Sequence, residues 1–461
     1  MFDKQIYISR REKLKQQIGK GLLLFLGNED SSMNYKDNLY PFRQDSSFLY
    51  FFGLDRPGLA ALIDIEQDRE IVFGNDLTLD DIIWTGPQPS LSEQAEPAGI
   101  TDTKPLAALA SELVAARGTG RAVHFLPPYR PENVLKLSAW LGFAPPAVKG
   151  HASVPLIKAV VAQRSVKSPI EVAQIEQAVD ITADMHLAAI RGARDGMTEF
   201  ALAGVLHGIA ISAGGNLSFP TILTVNGQVL HNHYGNTVMK SGRLAICDSG
   251  AENAMHYAGD MTRTFPIAKK FTSLQREMYD IVLGAQEAAI GALKPGVLFR
   301  DVHALAAEKL VEGLAAAGIM KGNAREAVAA GAHTMVFQCG LGHMMGLDVH
   351  DMEDLGEEYV GYTDELKKGR DFGWKSLRLG RSLEPGFVVT IEPGLYFIPE
   401  LMDRWGAERK YADFIDYPKL SALRDFGGIR IEEDFLITED GSRLLGKPLA
   451  KAAADVEALR G

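Results

Sequence analysis

Four carboxylates and one histidine-bearing loop are the residues of this chain most capable of chemistry. The loop reads HMMGLDVHD from His343, and Asp248 and Asp260 lie in apolar, strand-like runs before it. Glu392 and Glu432 lie in similar runs after it. Carboxylates are rarely buried without a partner, because moving an unpaired charge out of water is strongly unfavourable. If these five side chains converge in the fold, cations are required to neutralise the acids.

The donor set favours a dinuclear metal centre. Four negative charges balance two divalent cations and leave the site near neutral. Carboxylate oxygens with a single imidazole form a hard site, which suits Mn²⁺ best, with Co²⁺, Fe²⁺ or Zn²⁺ as competitors. Each ligand taken alone has a plainer explanation, since an Asp at the end of a strand is commonly a turn former. The combination of all five is what predicts the metals.

Side-chain alternation along the predicted strands orients these residues. LAICD ends at Asp248 and YAGDMTRTF contains Asp260, so two antiparallel strands joined by a loop are expected. Cys247 points away from the face of Asp248 and is interpreted as a core residue. In GIRIEED, Glu432 shares a face with Arg430. Arg430 is therefore expected to pair with a carboxylate of the site or of a substrate.

The elements that position these residues fall into two parts. Strand-like runs such as Gly21–Gly27 and Ala60–Ile65 alternate with helical patterns, which predicts a small α/β domain over residues 1–160. The predicted linker, Gln163–Glu171, also begins a long helix, with Ser168 as N-cap and Glu171 three residues later. The second domain is predicted over residues 161–461.

The second part mixes long helical patterns with short apolar strands. Four strands are predicted, each with a candidate ligand inside it or at its end: Leu244–Asp248, Ala258–Pro266, Val388–Pro393 and Ile429–Thr438. The charged, aromatic stretches Glu353–Lys375 and Glu400–Phe426 show no clear period, so loops or short elements are expected there.

Composition excludes several classes of function. The 461 residues include 48 basic and 59 acidic ones, and the net charge of −11 argues against nucleic acid and anionic membranes as partners. Neither a run of transmembrane length nor a signal segment is recognisable, so a cytoplasmic protein is expected. Two cysteines, Cys247 and Cys339, are too few for a disulfide framework and fit a reducing compartment.

Several stretches resemble the motifs of the pita-bread metallopeptidases, and among these the aminopeptidase P (Xaa-Pro aminopeptidase) and prolidase group. They read DSGAENAMHYAGDMTRTF, GLGHMMGLDVHD, TIEPGLYF and GIRIEEDFLIT. In the first half, DNLYPFRQDSSFLYFFGL resembles the amino-terminal domain of aminopeptidase P. The resemblance implies an α+β fold: a C-terminal pita-bread (creatinase/aminopeptidase) catalytic domain, preceded by a smaller α/β, creatinase-like N-terminal domain.

Carried over by position, the resemblance implies one set of metal ligands. The implied ligands of the two metals are Asp248, Asp260, His343, Glu392 and Glu432. Asp260 and Glu432 are the candidates to bridge both ions. Cys339 stands where many relatives have a second histidine before GLGH, and it is expected to be a core residue.

The resemblance also implies residues on the substrate side. His350 fits a histidine that follows the metal-binding one, and His231 fits an earlier histidine in better register than His233, which stays an alternative. Asp37 would bind the free amino group of the substrate. Trp84 would contribute to a pocket, including one in a neighbouring subunit.

The implied function is that of a metal-dependent exopeptidase, which hydrolyses the Xaa-Pro bond at the N-terminus of peptides with proline in second position. A hydroxide bridging the two metals would attack the amide carbon, and Glu392 would shuttle the proton to the leaving nitrogen. His350 or His231 would help to stabilise the oxyanion. Tyr396 is a candidate for the aromatic wall beside the proline ring. A homo-oligomer, a dimer or a tetramer, is expected by analogy.

Three alternatives remain at this point. The first is prolidase, an Xaa-Pro dipeptidase, in which Arg370, Arg378 or Arg381 would hold the carboxylate of a dipeptide. The second is a non-catalytic pita-bread binding module, which the acidic balance and the intact ligand set disfavour. The third is metal-free hydrolysis of a small amidino substrate, which predicts missing carboxylate ligands.

Overall fold

The chain folds into two compact units. The computed structural model describes all residues, 1–461. The first unit comprises Met1–Arg164 with the short segment Asp354–Tyr359, and the second comprises Ser165–Glu353 and Val360–Gly461. The chain thus passes from the first unit to the second inside the predicted linker. Its helices are too short or too polar for any of them to span a lipid bilayer.

The first unit is built on one mixed sheet flanked by helices. Its strands are β1 (Leu22–Leu26), β2 (Ala60–Asp64), β3 (Arg69–Phe73), β4 (Asp102–Lys104) and β5 (Val123–Phe125). Its helices are α1 (Lys4–Ile18), α2 (Ser46–Phe52), α3 (Leu79–Thr85), α4 (Leu91–Ala95), α5 (Leu109–Gly118), α6 (Pro131–Leu141) and α7 (Val154–Arg164). The strand order is β4-β3-β2-β1-β5, with β1 parallel to β5 and β3 parallel to β4.

Alternation along β1 divides the core of this unit into two layers. Leu22 and Leu24 pack in one cluster with side chains of α5 and α6. Phe25, on the opposite face of the strand, makes a tilted ring contact with Phe51 and an edge-to-face contact with Phe52 of α2. Because both faces are covered, β1 is apolar throughout, as its LLLFL sequence indicated.

The rest of the chain carries longer helices around several small antiparallel sheets. The helices are α8 (Pro169–Gly192), α9 (Glu199–Ser212), α10 (Ser273–Gly291), α11 (Phe299–Ala316), α12 (Ala324–Ala330), α14 (Pro399–Glu408), α15 (Tyr417–Ser421) and α16 (Ala453–Arg460), and the short helix α13 (Glu357–Val360) begins in the segment that belongs to the first unit. The strands are β6 (Asn216–Leu217), β7 (Ile222–Thr224), β8 (Leu244–Ser249), β9 (Ala251–Glu252), β10 (Met261–Pro266), β11 (Val388–Ile391), β12 (Gly394–Tyr396), β13 (Gly428–Arg430), β14 (Glu433–Ile437) and β15 (Ser442–Leu444).

Two three-stranded sheets form the frame of the second unit. Their strand orders are β10-β8-β7 and β11-β14-β15, and β12 pairs with β13 beside them. Helices α8 and α10 pack against these strands. The first helix begins as predicted: the backbone N–H and the hydroxyl of Ser168 donate to the Glu171 carboxylate, at 3.0 and 2.7 Å. The α+β class of the chain is confirmed.

Two predictions about local structure are wrong. The run Ile429–Thr438 is not one strand, because β13 ends at Arg430 and β14 begins at Glu433. Glu432 lies in that interruption, where its backbone bridges to Thr262 instead. The ten-residue helix α14 lies in a stretch for which only loops or short elements were expected. Its proline at the first turn pre-sets the helical φ angle there, a signal weaker than a run of apolar residues.

Candidate metal centre

A β-hairpin face carries the first two carboxylates. Strands β8 and β10 pair antiparallel, as predicted, with Asp248 opposite Thr262. Asp260 immediately precedes β10, two residues before Thr262, and therefore shares its face. Thr262 donates its hydroxyl to Glu432 Oε2 at 2.7 Å, which joins the fourth carboxylate to the same face.

His343 is oriented by its backbone and by its own ring nitrogen. Its N–H donates to Thr390 Oγ1 at 3.2 Å, and its carbonyl accepts from the Thr390 N–H at 3.0 Å. Nδ1 lies 3.0 Å from the Met344 carbonyl, so it carries the proton and leaves Nε2 as an acceptor. Nε2 lies 3.4 Å from Asp260 Oδ2 and 3.7 Å from Glu392 Oε1. This tautomer and second contact are typical of a metal-binding histidine.

The residues present fit a divalent cation. Ligand atoms of Asp260, His343 and Glu432 lie within 4.8 Å of one another, and all three residues are buried. Asp260 Oδ1 is buried and has no hydrogen-bond partner in the structure. An unpartnered carboxylate oxygen among other acids is costly, and a metal ion would satisfy it. Glu392 adjoins this trio through its contact with His343.

Burial and the mutual repulsion of the carboxylates dominate the electrostatics of the cluster. Burial, together with the charge of Asp248, raises the pKa of Asp260 to about 8. Burial likewise raises the pKa of Glu392 to about 7, although His343 and Arg430 act in the opposite direction. Burial, together with the charges of Asp260 and Glu392, raises the pKa of Glu432 well above its usual value. A bound cation reverses this preference and favours the ionised forms.

We expect the metal-free protein to lose stability as the pH rises from about 5 to about 8. The folded-state pKa values of Asp260 and Glu392 are about 8 and about 7. In the unfolded chain both acids ionise near about pH 4. Between these values the folded state binds more protons, so the free energy of unfolding falls by about 1.4 kcal/mol per pH unit for each such acid. Urea denaturation in EDTA at several pH values measures this slope.

The Asp260→Asn variant is the control for this pH dependence. It removes one of the titrating acids without changing the shape of the side chain, so its slope in EDTA should be shallower. Excess Mn²⁺ should reverse the trend in the wild type, because the metal binds the deprotonated ligands. Stability that is constant or rises over this pH range in EDTA would contradict the prediction.

Arg430 neutralises Asp248, the remaining predicted ligand. Arg430 Nη2 donates to Asp248 Oδ2 at 2.5 Å, and Nη1 donates to Tyr396 Oη at 2.7 Å. The predicted pairing of Arg430 with a carboxylate of the site is therefore present. Tyr396, in contrast, was predicted to line a substrate pocket, and the structure places it fully buried in the core. Its hydroxyl oxygen accepts the hydrogen bond from Arg430 Nη1, so it helps to hold the guanidinium in position.

Cys339 lies beside the same tyrosine. Its Sγ is 3.9 Å from Tyr396 Oη. Burial raises the pKa of the Cys339 thiol to about 12, and the nearby charge of Glu392 adds to the effect. The thiol is therefore protonated at neutral pH and does not act as a thiolate ligand. Cys247 is fully buried, as predicted for a core residue.

His350 lies against the metal-ligand candidate. Its ring centroid is 4.4 Å from that of His343, with the rings at 74°. His350 Nδ1 lies 2.6 Å from Glu353 Oε2, and Arg378 Nε lies 3.3 Å from the same oxygen. The hydrogen bond from His350 lowers the pKa of Glu353 to about 2, against the effect of its burial. The ionised Glu353 thus holds the proton on Nδ1 and leaves Nε2 of His350 available to a substrate.

The two earlier histidines, His231 and His233, are both exposed, and their surroundings differ. Desolvation lowers the pKa of His231, and the charge of Arg430 lowers it further, while Asp248 raises it. The carbonyl of the preceding residue, Leu230, accepts from Arg430 Nη2 at 3.4 Å. His233 instead uses Nδ1 to contact the Thr221 carbonyl at 3.1 Å.

Two further candidates lie in the first unit and outside the carboxylate cluster. Asp37 is exposed in the loop before α2. Trp84 is 82% exposed on α3, a helix with no buried residue. Their assignment to substrate binding therefore still rests on the resemblance alone.

The sequence interpretation missed the residues that orient the histidines. Thr390 and Glu353 both contact them directly, and the charged stretch that contains Glu353 was expected to form loops or short elements. One signal was available: Glu353 follows His350 by three residues, a spacing that brings side chains together in a tight turn. No comparable local signal marks Thr390, since its partner His343 lies far from it in the chain.

Comparison with known proteins extends over both units. Residues 173–439 match the family model described as Metallopeptidase family M24, and residues 7–124 match that of Aminopeptidase P, N-terminal domain. Xaa-Pro aminopeptidase of Escherichia coli (strain K12) is 31% identical over 473 residues, covering 99% of this chain and 97% of the relative. Xaa-Pro dipeptidase of Homo sapiens is 29% identical over 459 residues, covering 95% and 90%.

The structural likeness is equally extensive. A solved structure of Zn-substituted Escherichia coli aminopeptidase P in complex with product has a TM-score of 0.82 at 30% sequence identity. The alignment covers 100% of this chain and 98% of that one. The similarity thus includes the N-terminal unit as well as the strands that carry the carboxylates.

Proposed function

The chain belongs to metallopeptidase family M24, and from this premise we propose that it is a metal-dependent Xaa-Pro aminopeptidase. It hydrolyses the bond before proline at the N-terminus of peptides. The fold is the predicted one, a pita-bread catalytic domain preceded by a smaller α/β domain. The domain limits, residues 1–160 and 161–461, stay a proposal.

One observation carries this function: the buried convergence of His343 Nε2 with the carboxylates of Asp260 and Glu432 around an unpartnered oxygen. Such an arrangement is unstable as a purely structural core and suits divalent cations. We propose that the site would hold two ions, with Asp248 and Glu392 completing the ligand set of Asp260, His343 and Glu432. Mn²⁺ is the proposed metal because the donors are hard oxygens with one imidazole.

When bound, the metals supply a water of lowered pKa and polarise the scissile carbonyl. The side chains around them have separate roles. Glu392 is more exposed than Asp248 and Asp260, with 19% of its side chain accessible against 12% and 6%, so it is placed to pass a proton to the leaving nitrogen. His350 would donate to the substrate oxygen from Nε2 as the imidazolium, whose proton on Nδ1 is held by the ionised Glu353.

The remaining proposals concern residues around the metal ligands that would contact the substrate or hold a ligand in place. His231 is preferred to His233 on the substrate side because the preceding carbonyl, that of Leu230, accepts from Arg430, whereas His233 Nδ1 faces the Thr221 carbonyl. Arg430 keeps Asp248 in place. Asp37 would bind the substrate amino group and Trp84 would contribute to a pocket. We assign Tyr396 to the support of Arg430 and not to substrate contact.

The protein loaded with Mn²⁺ is expected to release the first residue of Xaa-Pro-Yaa tripeptides. Xaa-Pro dipeptides should turn over at least about tenfold more slowly, because they lack the third residue, whose contacts contribute binding energy to the transition state. Product identification by liquid chromatography and mass spectrometry gives both rates. Xaa-Ala-Yaa peptides are the control for proline specificity, and EDTA is the control for metal dependence.

The second candidate function is that of a prolidase, and the position of Arg378 favours it. Of the three arginines considered, Arg381 contacts Glu384 at 2.6 Å and Arg370 is exposed, whereas Arg378 contacts Glu353 beside His350. Arg378 could therefore hold the carboxylate of a dipeptide. Cleavage of dipeptides only, abolished by Arg378→Met, would replace the aminopeptidase proposal with this one. The metal-free and non-catalytic alternatives do not fit a chain that retains all five ligands.

The setting of the enzyme is proposed from composition. Peptides with proline in second position are the proposed partners, and the net charge of −11 disfavours nucleic acid and anionic membranes. Both cysteines are free thiols, which supports a reducing, cytoplasmic location. A homo-oligomer, dimer or tetramer, is proposed by analogy and is testable by light scattering.

A further inference from the structure

A buried ion pair joins Asp351, the last residue of the loop that carries both histidines of the centre, to Lys167. Lys167 Nζ lies 2.8 Å from Asp351 Oδ2, and the two side chains are only 2% and 1% exposed. Neither residue is a ligand or a substrate contact in the mechanism above. A buried pair of this kind is costly to assemble, because both charges lose their hydration. Its position, rather than its contribution to stability, is what suggests a role.

Asp351 is linked to the orientation of His343 through a shared carbonyl. The Asp351 N–H donates to the Met344 carbonyl at 2.9 Å. The same carbonyl faces His343 Nδ1 at 3.0 Å and thereby determines which ring nitrogen is left for a metal. Asp351 also follows His350 directly in the chain. A shift of Asp351 would therefore move the Met344 carbonyl, which is the acceptor for His343 Nδ1, and it would also move the backbone of His350.

Lys167 is itself held rigidly. Its backbone N–H donates to the Gly386 carbonyl at 2.8 Å, and the next residue, Ser168, begins α8 with the hydrogen bonds described above. Space around the pair is also limited. A Cβ atom at Gly346 would lie 2.7 Å from Asp351 Oδ2 and 3.0 Å from Lys167 Cε, so only glycine fits there without displacing the pair.

We propose that Lys167 and Asp351 are positioning residues that clamp the loop and set the orientation of His343 toward the metal and of His350 toward the substrate. The effect on His350 is measured as turnover, so this half of the proposal rests on the proposed function. The effect on His343 is measured as affinity for Mn²⁺, which does not depend on the proposed function. The two parts therefore have separate measurements.

The test compares the double variant Lys167→Met/Asp351→Asn with the wild-type protein. The double variant removes the ion pair without leaving an unpaired charge in the core. We expect its affinity for Mn²⁺, measured by electron paramagnetic resonance of the free ion, to fall by about tenfold or more, as for other groups that orient a metal ligand. On an Xaa-Pro-Yaa tripeptide at saturating Mn²⁺, kcat should fall by a similar factor while KM changes little, because His350 is misplaced.

A matched control is available in the first unit. Arg11 and Glu70 also form a largely buried pair, at 2.8 Å. The variant Arg11→Met/Glu70→Gln should lower the unfolding temperature without changing Mn²⁺ affinity or kcat. Equal losses in this control would overturn the proposal, since they would then reflect general destabilisation.

Gly346→Ala provides a second, independent variant, which crowds the pair without changing any charge. It should reproduce the loss of Mn²⁺ affinity, and it decides the question if the double variant does not fold. Wild-type Mn²⁺ affinity and kcat in the folded variants would overturn the proposal. A wild-type protein that binds Mn²⁺ but cleaves no Xaa-Pro peptide would refute the proposed function, and the Mn²⁺ affinities would still test the clamp.

Discussion

Replacing His343 by alanine is expected to remove most of the bound metal and to lower turnover of an Xaa-Pro-Yaa peptide by at least about 1,000-fold. His343 is the only nitrogen ligand candidate of the cluster, and its Nε2 lies within 3.7 Å of two carboxylates. Without it, the metal loses its one neutral nitrogen ligand, and the acids around Asp260 repel one another once the metal has dissociated. Metal content after dialysis, measured by mass spectrometry, and kcat on the tripeptide report the two effects.

The control for this variant is a histidine of equal burial in the same unit. His303 is buried against Phe337 and Trp374, and neither ring nitrogen has a hydrogen-bond partner in the structure. His303→Phe should retain both metal and activity, because it replaces a neutral aromatic ring by another. If His343→Ala kept its full metal content, the assignment of the centre would be wrong.

Replacing His350 by alanine is expected to leave metal content unchanged and to lower kcat by about 100- to 1,000-fold. Its ring lies 4.4 Å from that of His343, yet its Nδ1 is engaged with Glu353 and a third of the side chain is exposed. This geometry suits a group that contacts substrate oxygen from the solvent side of the centre. The loss should therefore fall on kcat and not on metal binding.

The pair of variants separates the two histidines of one loop. His343→Ala should lose metal and activity together, whereas His350→Ala should lose activity alone. The same measurements of metal content and kcat apply to both proteins. Equal metal loss in the two variants would refute this division of roles, and so would full activity of His350→Ala at saturating substrate.

Local patterns were sufficient for much of the scaffold. The apolar run LLLFL predicted a buried strand, and the Ser168 and Glu171 spacing predicted the start of α8, because both signals depend on neighbours within one turn or strand. The same patterns predicted one continuous strand through Glu432, where the structure has two strands with a break between them. Its interruption is caused by a bridge to Thr262, a residue of a distant strand.

Residue type was a less reliable guide where a side chain has two possible environments. Tyr396 suits a pocket wall by its chemistry, but the structure buries it against Arg430. The choice depends on which polar group reaches its hydroxyl, and that group lies on another strand. For the same reason, the sequence could not distinguish Arg378 from Arg370 and Arg381, which differ only in what they contact.

The sequence by itself determined the donor types, their order along the chain and the likeness to the pita-bread metallopeptidases. These are properties of residue identity and short-range spacing, so they can be read without coordinates. The tertiary structure alone decided how the donors meet: which nitrogen of His343 faces the acids, which oxygen of Asp260 lacks a partner, and that Lys167 lies under Asp351. The physical reason is that these contacts join residues far apart in the chain, and only packing brings them within hydrogen-bond distance.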